Sequence, residues 1–200
     1  MADHYYTDHP ESPSEIREIT YSLPAGELRL KTDRGVFSGS RVDHGTDILI
    51  RTLLEQEKGP AQLLDIGCGY GPIGIALGRT WPRCRVLMVD VNHRAMDLAR
   101  QNAKENGVDA VVKEAGSLPD EFFEVIVTNP PIRAGKQVVY GIFQQALDHL
   151  PPGGRFYAVI RKNQGAASAV RELERLFGSC ETIERQSGFH ILRSVRAGAK

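Results

Sequence analysis

Two short segments of the chain carry residues whose types and spacing can do chemistry. The first is Leu63-Leu64-Asp65-Ile66-Gly67-Cys68-Gly69-Tyr70-Gly71-Pro72. Glycines after an apolar run permit a tight turn and let a ligand approach the backbone. A helix opening at Pro72 presents its free N–H groups to the same ligand. Dinucleotide enzymes use a related turn, but their spacing is G-x-G-x-x-G. Here it is G-x-G-x-G, with Asp65 immediately before it. A carboxylate at that point repels a pyrophosphate and suits the ammonium group of a methionine moiety. Asp90 and Val91 end the next apolar run, about where a carboxylate takes up ribose hydroxyls.

The second segment is Asn129-Pro130-Pro131-Ile132, which directly follows Val125-Ile126-Val127-Thr128. Two prolines hold the chain extended, so the Asn129 side chain and the Pro130 carbonyl can be fixed toward one cavity. Two fixed acceptors are what a planar exocyclic amine needs. Accepting both N–H hydrogens favours pyramidalisation and frees the nitrogen lone pair to attack a sulfonium methyl. Catalysis of this kind is positioning plus preorganised dipoles, without a covalent enzyme intermediate. Asn-Pro is also a common turn opener, and it is the pairing with the glycine turn that favours the chemical reading.

These segments need elements to hold them. The 200 residues are 41% hydrophobic and 25% charged, a globular profile in which no apolar run approaches the ~20 residues of a membrane span. The N-terminus lacks the basic-then-apolar order of a secretory signal, and the expected location is the cytoplasm. Cys68, Cys84 and Cys180 show neither CxxC spacing nor a histidine-paired pattern, so unpaired thiols and no metal are expected. Net charge is zero, so any nucleic-acid affinity must come from a local basic cluster.

The pattern predicts a hairpin of 16–23 and 27–32, a helix over 47–57, and then regular alternation. Strands are expected at 61–66, 85–91, 109–113, 124–128 and 155–160, with helices at 72–79, 93–106, 136–150 and 165–177. Two closing strands, 180–185 and 189–195, are separated only by Gln186-Ser187-Gly188 and should be antiparallel. The fold class expected is α/β: a doubly wound, mostly parallel sheet with an N-terminal β extension. We expect a single domain, with an arm and hairpin over 1–44 and a catalytic core over 45–200.

These residues resemble the class I S-adenosylmethionine-dependent methyltransferases, and more closely the small-subunit ribosomal RNA guanine-N2 methyltransferases, the RsmC-like group. The likeness includes 4–7 with 10–12, 35–38, Arg41-Val42-Asp43 with Gly45-Thr46, 65–75, 129–135 and Lys162-Asn163-Gln164-Gly165. It implies a seven-stranded Rossmann-like sheet with an antiparallel final strand and S-adenosylmethionine as cofactor. Asp65, Gly67, Cys68, Gly69, Gly71 and Pro72 would hold the methionine end, and Asp90 with Val91 the ribose. Thr46 and Asn129 would also touch the cofactor. Asn129, Pro130, Pro131 and Ile132 would be catalytic, and 37–46 would close over both ligands.

The chain departs from the group's pattern in three respects. Where relatives carry an acidic residue near the adenine it reads Ala115-Gly116-Ser117-Leu118, leaving Ser117 to hydrogen-bond the adenine amine. Larger bacterial members carry an additional N-terminal domain, for which 200 residues leave no room. Relatives acting on adenine or on glutamine amides usually have an aromatic residue where this chain has Ile132, which tilts the choice toward guanine N2 in ribosomal RNA. Methylation of adenine or a glutamine amide, and a catalytically silent RNA-binding homologue, stay open as alternatives. Arg133 and Lys136, Arg161 and Lys162, with Arg41 and Phe37, are the expected substrate contacts, and Arg29, Lys31 and Arg34 could add to the same basic rim.

Overall fold

The computed structural model describes residues 14–34, 36 and 41–198. Strands β1 (Arg17–Leu23) and β2 (Gly26–Thr32) form an antiparallel hairpin in which Leu23 faces Gly26. Helix α1 (His44–Gln56) follows. Then come β3 (Gln62–Ile66), α2 (Pro72–Thr80), β4 (Arg85–Asp90), α3 (His93–Glu105) and β5 (Ala110–Glu114). The second half comprises β6 (Val125–Thr128), α4 (Lys136–Asp148), β7 (Arg155–Arg161), α5 (Ala166–Phe177), β8 (Glu181–Gln186) and β9 (Phe189–Val195).

The main sheet has seven strands in the order β5-β4-β3-β6-β7-β9-β8. Strands β3 to β7 are mutually parallel, and β9 runs antiparallel to both β7 and β8. The expected fold class is therefore present, antiparallel closing strand included. Residues of each central strand alternate between two cores. Leu63, Val86, Met88, Val125, Val127 and Val159 face α1–α3 and the hairpin, while Leu64, Ile66, Leu87, Ile126, Phe156 and Ile160 face α4 and α5. Burial on both faces is what makes these strands read as continuous apolar runs. The strand order reverses between β3 and β6, and in open α/β sheets ligands bind beyond the carboxyl ends of the strands at that point.

Helix α1 begins three residues earlier than its apolar period suggests. Asp43 is its N-cap, accepting from the Thr46 N–H at 3.2 Å, and a capping carboxylate satisfies a donor the helix cannot. The other end is anchored as firmly. Glu57, the C-cap residue, is buried and accepts from Arg155 Nε at 2.6 Å, Arg155 Nη2 at 2.9 Å and the Tyr157 hydroxyl at 2.6 Å.

The hairpin is tied to α3 by two asparagines one turn apart. The Lys31 N–H donates to Asn102 Oδ1 at 2.7 Å, and Asn102 Nδ2 donates to the Lys31 carbonyl at 2.8 Å. Asn106 repeats this pair of bonds with the backbone of Arg29, at 3.0 and 2.7 Å. Four helical residues rise ~6 Å and two strand residues ~6.7 Å, so the spacings match. Each carboxamide thus stands in for a neighbouring strand along the free edge of β2. Asn102 Nδ2 also donates to the Tyr70 carbonyl at 2.9 Å, linking the hairpin to the glycine turn.

Asn102→Ala leaves backbone groups of Lys31 and Tyr70 without these partners, and we expect a loss of about 2–3 kcal/mol of stability. Urea denaturation of both proteins measures it, and a change below about 0.5 kcal/mol, ordinary for a surface substitution, contradicts this role.

Candidate active site

A cavity of about 410 Å³ opens at the carboxyl ends of β3, β4, β6 and β7, a size typical of small-molecule sites. The glycine turn forms one side. Gly67 and Cys68 donate their N–H groups to the Val89 carbonyl at 2.8 and 3.0 Å, which folds the turn back over β4. Gly67 and Gly69 have φ of 73° and 57°, and a Cβ on either would project into open space beside the cavity. The conformation requires glycine, and the room left over is room for a ligand.

Asp90 lies where the ribose contact is expected. It lines the cavity, accepting from Gly69 N at 2.7 Å on Oδ2 and from Asn92 N at 2.9 Å on Oδ1. Burial pushes its carboxyl up, and the N–H groups of Asn92, Gly69 and Val91 pull it back. Each oxygen retains a lone pair for a further donor, such as a ribose hydroxyl. Asp65 lies beneath the turn. Fully buried, it is not among the residues lining the cavity, and its Oδ2 accepts from Gly74 N at 3.0 Å. Gly71, the N-cap of α2, has no side chain to offer, so Asp65 supplies the missing cap from β3. Its carboxyl is pushed up to about 7, chiefly by burial, with a further contribution from the Asp90 charge. Asp65 thus caps the helix through Oδ2, while its buried Oδ1 has no hydrogen-bond partner among the described residues.

The Asn-Pro-Pro-Ile segment forms the other side, beside the glycine turn, because the Thr128 hydroxyl donates to the Ile66 carbonyl at 2.7 Å. Asn129, Pro130, Pro131 and Ile132 all line the cavity. Asn129 Nδ2 donates to Thr46 Oγ1 at 2.9 Å and to Asp43 Oδ2 at 3.4 Å. A carboxylate can only accept, so this neighbour determines which end of the carboxamide faces α1. Asn129 Oδ1 is left as an acceptor for the cavity.

Of the other expected residues, Thr46, Cys68, Pro72, Arg133 and Arg161 also line the cavity. Gly71, Val91, Lys162 and Arg41 do not. Ser117 is exposed on a short 3-10 turn after β5 and stays outside the lining. Lys136 borders a smaller groove that shares Ile132 and Gln164 with the cavity. Arg29, Lys31 and Arg34 lie outside it as well, and Lys31 pairs with Glu105 instead. Phe37 lies outside the described residues. The cavity also takes in residues not named as individual contacts, among them Asp43, Tyr70, Gln164 and Phe189. Asp43, Tyr70 and Gln164 fall within segments that carry the family likeness, whereas Phe189 falls in none.

Fold and site together define a Rossmann-like methyltransferase. The methyltransferase small domain, as a family model, matches residues 27–193. The uncharacterized protein YbxB of Bacillus subtilis is 38% identical over 98% of this chain and 100% of its own length. Ribosomal RNA small subunit methyltransferase C of Pseudomonas aeruginosa is 35% identical over 88% of this chain and 54% of that one. Among solved structures, the 16S rRNA N2 methyltransferase RsmC of T. thermophilus, in complex with AdoMet and guanosine, superposes with a TM-score of 0.82. It is 25% identical, over 94% of this chain and 52% of that one. The chain belongs to the methyltransferase small-domain family of S-adenosylmethionine-dependent enzymes. It spans about half the length of the curated methyltransferase C relatives.

The Asn129 clamp generates a prediction. Asp43→Ala frees the carboxamide to rotate and should lower turnover about tenfold, with about 1 kcal/mol of helix stability lost through the cap. Asp43→Asn places an amide oxygen at the same point and should retain most of the activity. Steady-state rates and thermal melts of both variants check this, and equal loss of turnover in the two refutes the clamp.

Proposed function

We propose that this protein transfers a methyl group from S-adenosylmethionine to the exocyclic N2 amine of a guanine in ribosomal RNA. One observation carries the reading: the Asn129 carboxamide is oriented by Asp43 and Thr46 so that its oxygen faces the cavity shared with Pro130. Support comes from the T. thermophilus enzyme, which was solved with guanosine and AdoMet, and from the ribosomal RNA relatives. Ile132, which is not aromatic, favours guanine over adenine or a glutamine amide.

The residues of the site fit the cofactor. The space beside Gly67 and Gly69 admits its chain, and the spare lone pairs of Asp90 suit its ribose. When bound, the cofactor supplies an electrophilic methyl group on a sulfonium. Asn129 Oδ1 and the Pro130 carbonyl accept the two amine hydrogens and turn the nitrogen lone pair out of the ring plane. The nitrogen–methyl bond would form as the sulfonium–methyl bond breaks, and one of the two held protons would then pass to solvent through the open mouth of the cavity, where Arg133 and Arg161 are exposed. A basic cluster beside the mouth suits the RNA backbone. His190 is held below its ordinary value by burial and by the charges of Arg185 and Lys162.

Incubation of the protein with labelled S-adenosylmethionine and small ribosomal subunits from a strain lacking it should place label in N2-methylguanosine. Asn129→Ala should lower that transfer by roughly a hundredfold or more, while calorimetric affinity for S-adenosylmethionine stays nearly unchanged. Label in adenine or protein, or comparable transfer by the variant, overturns the reading.

A further inference from the structure

The acceptor half of the cavity has an aromatic wall that the Asn-Pro-Pro-Ile segment does not provide. Phe189 is the first residue of β9, directly after the Ser187-Gly188 turn, and it is the cross-strand partner of Arg161 on β7. Directly opposed residues of an antiparallel pair share one face of the sheet. Both line the cavity, and the Arg161 guanidinium lies over the Phe189 ring, 5.3 Å from its centroid. His44 meets the same ring edge-on, with centroids 5.9 Å apart.

The ring is seated on the first turn of α1. A Cβ at Gly45 would lie 2.7 Å from Phe189 Cε1 and 2.9 Å from Cδ1, so only glycine lets the ring rest there. Asp43 and Thr46 on that turn also hold the Asn129 carboxamide. Aromatic wall and amine acceptor are therefore referenced to one rigid turn, with Ile132 lining the same cavity from the β6 side. Phe189 packs against the core yet stays only partly buried, and it also lines the cavity.

We propose that Phe189, with the Arg161 guanidinium layered on it, is the surface on which the target purine lies flat while its amine edge faces Asn129. The proposal rests on the guanine reading above and names its positioning device. It also defines the substrate further: the nucleotide must be unstacked, in a loop or flipped from a helix, because a base still in its stack has no free face to offer. Stacking on an aromatic side chain tolerates any base, so the wall supplies position and affinity while Asn129 and Pro130 read the amine.

The test uses 2-aminopurine riboside, which carries an exocyclic amine at the same ring position as guanine and whose fluorescence falls on stacking. With S-adenosylhomocysteine present, Phe189→Leu should weaken riboside binding about tenfold and remove the quenching. Phe189→Trp should restore both, and S-adenosylhomocysteine affinity and melting temperature should stay unchanged in each variant. Wild-type quenching in Phe189→Leu overturns the proposal. So does a parallel loss of S-adenosylhomocysteine affinity, which would make the ring a packing group. Failure of the guanine reading shows separately, in the identity of the labelled nucleotide: a methylated adenine with quenching still lost in Phe189→Leu faults the base assignment and leaves the wall standing.

Discussion

The site depends on one contact between residues 86 positions apart: the Asn129 amide nitrogen facing the Asp43 carboxylate. With its nitrogen donating to Asp43 and Thr46, the carboxamide leaves its oxygen for the cavity. The contact in turn requires the first turn of α1 to sit against the carboxyl end of β6. That placement is secured at the helix's other end, where Glu57 takes a two-pronged contact from Arg155 and the Tyr157 hydroxyl. Removing Arg155 would leave the buried Glu57 carboxylate short of partners, whereas Arg155 itself is partly exposed. The hairpin adds a third tether, the Tyr21 hydroxyl donating to Asp47 at 2.7 Å. The ion pair at one end of α1 and the hydrogen bond to Asn129 at the other thus hold the same helix against the sheet.

The cofactor side follows a different logic, in which backbone amides do the positioning. Asp65 and Asp90 lie at the carboxyl ends of adjacent strands, and both are buried. Each is held by N–H groups of the glycine turn or the helices that follow. Burial raises both carboxyls, Asp65 to about 7. The turn is therefore shaped from beneath by Asp65 through α2 and from the side by Asp90 through Gly69. Asn102 adds a third hold through the Tyr70 carbonyl. A ligand meets a surface whose donors and acceptors are already in place, which limits the reorganisation needed at the moment of reaction.

Much of this was legible in the sequence because its signals are local. The glycines, Asp90 and Asn129-Pro130-Pro131 each sit at a strand end, and period and punctuation suffice to find strand ends. Other features depend on partners distant in sequence. That Asp65 also caps α2 shows only once the helix is seen to start at a glycine, with Gly74 N donating to its Oδ2. Ser117 falls at a strand end too, yet its turn leaves it exposed and outside the lining. Phe189 has no motif around it. Its place in the cavity comes from β9 inserting beside β7 in a register that pairs Phe189 with Arg161, and a slip of one residue would turn the ring to the opposite face. The start of α1 at His44 is set by its Asp43 cap, which an apolar period does not report.

The most direct measurement is a crystal structure of the protein with S-adenosylhomocysteine and guanosine bound together. The account predicts the guanine N2 atom at about 3 Å from both Asn129 Oδ1 and the Pro130 carbonyl oxygen, with Asn129 Nδ2 still turned toward Asp43. A guanine bound with N2 directed away from Asn129, or an Asn129 carboxamide flipped to give its amide nitrogen to the cavity, would contradict it.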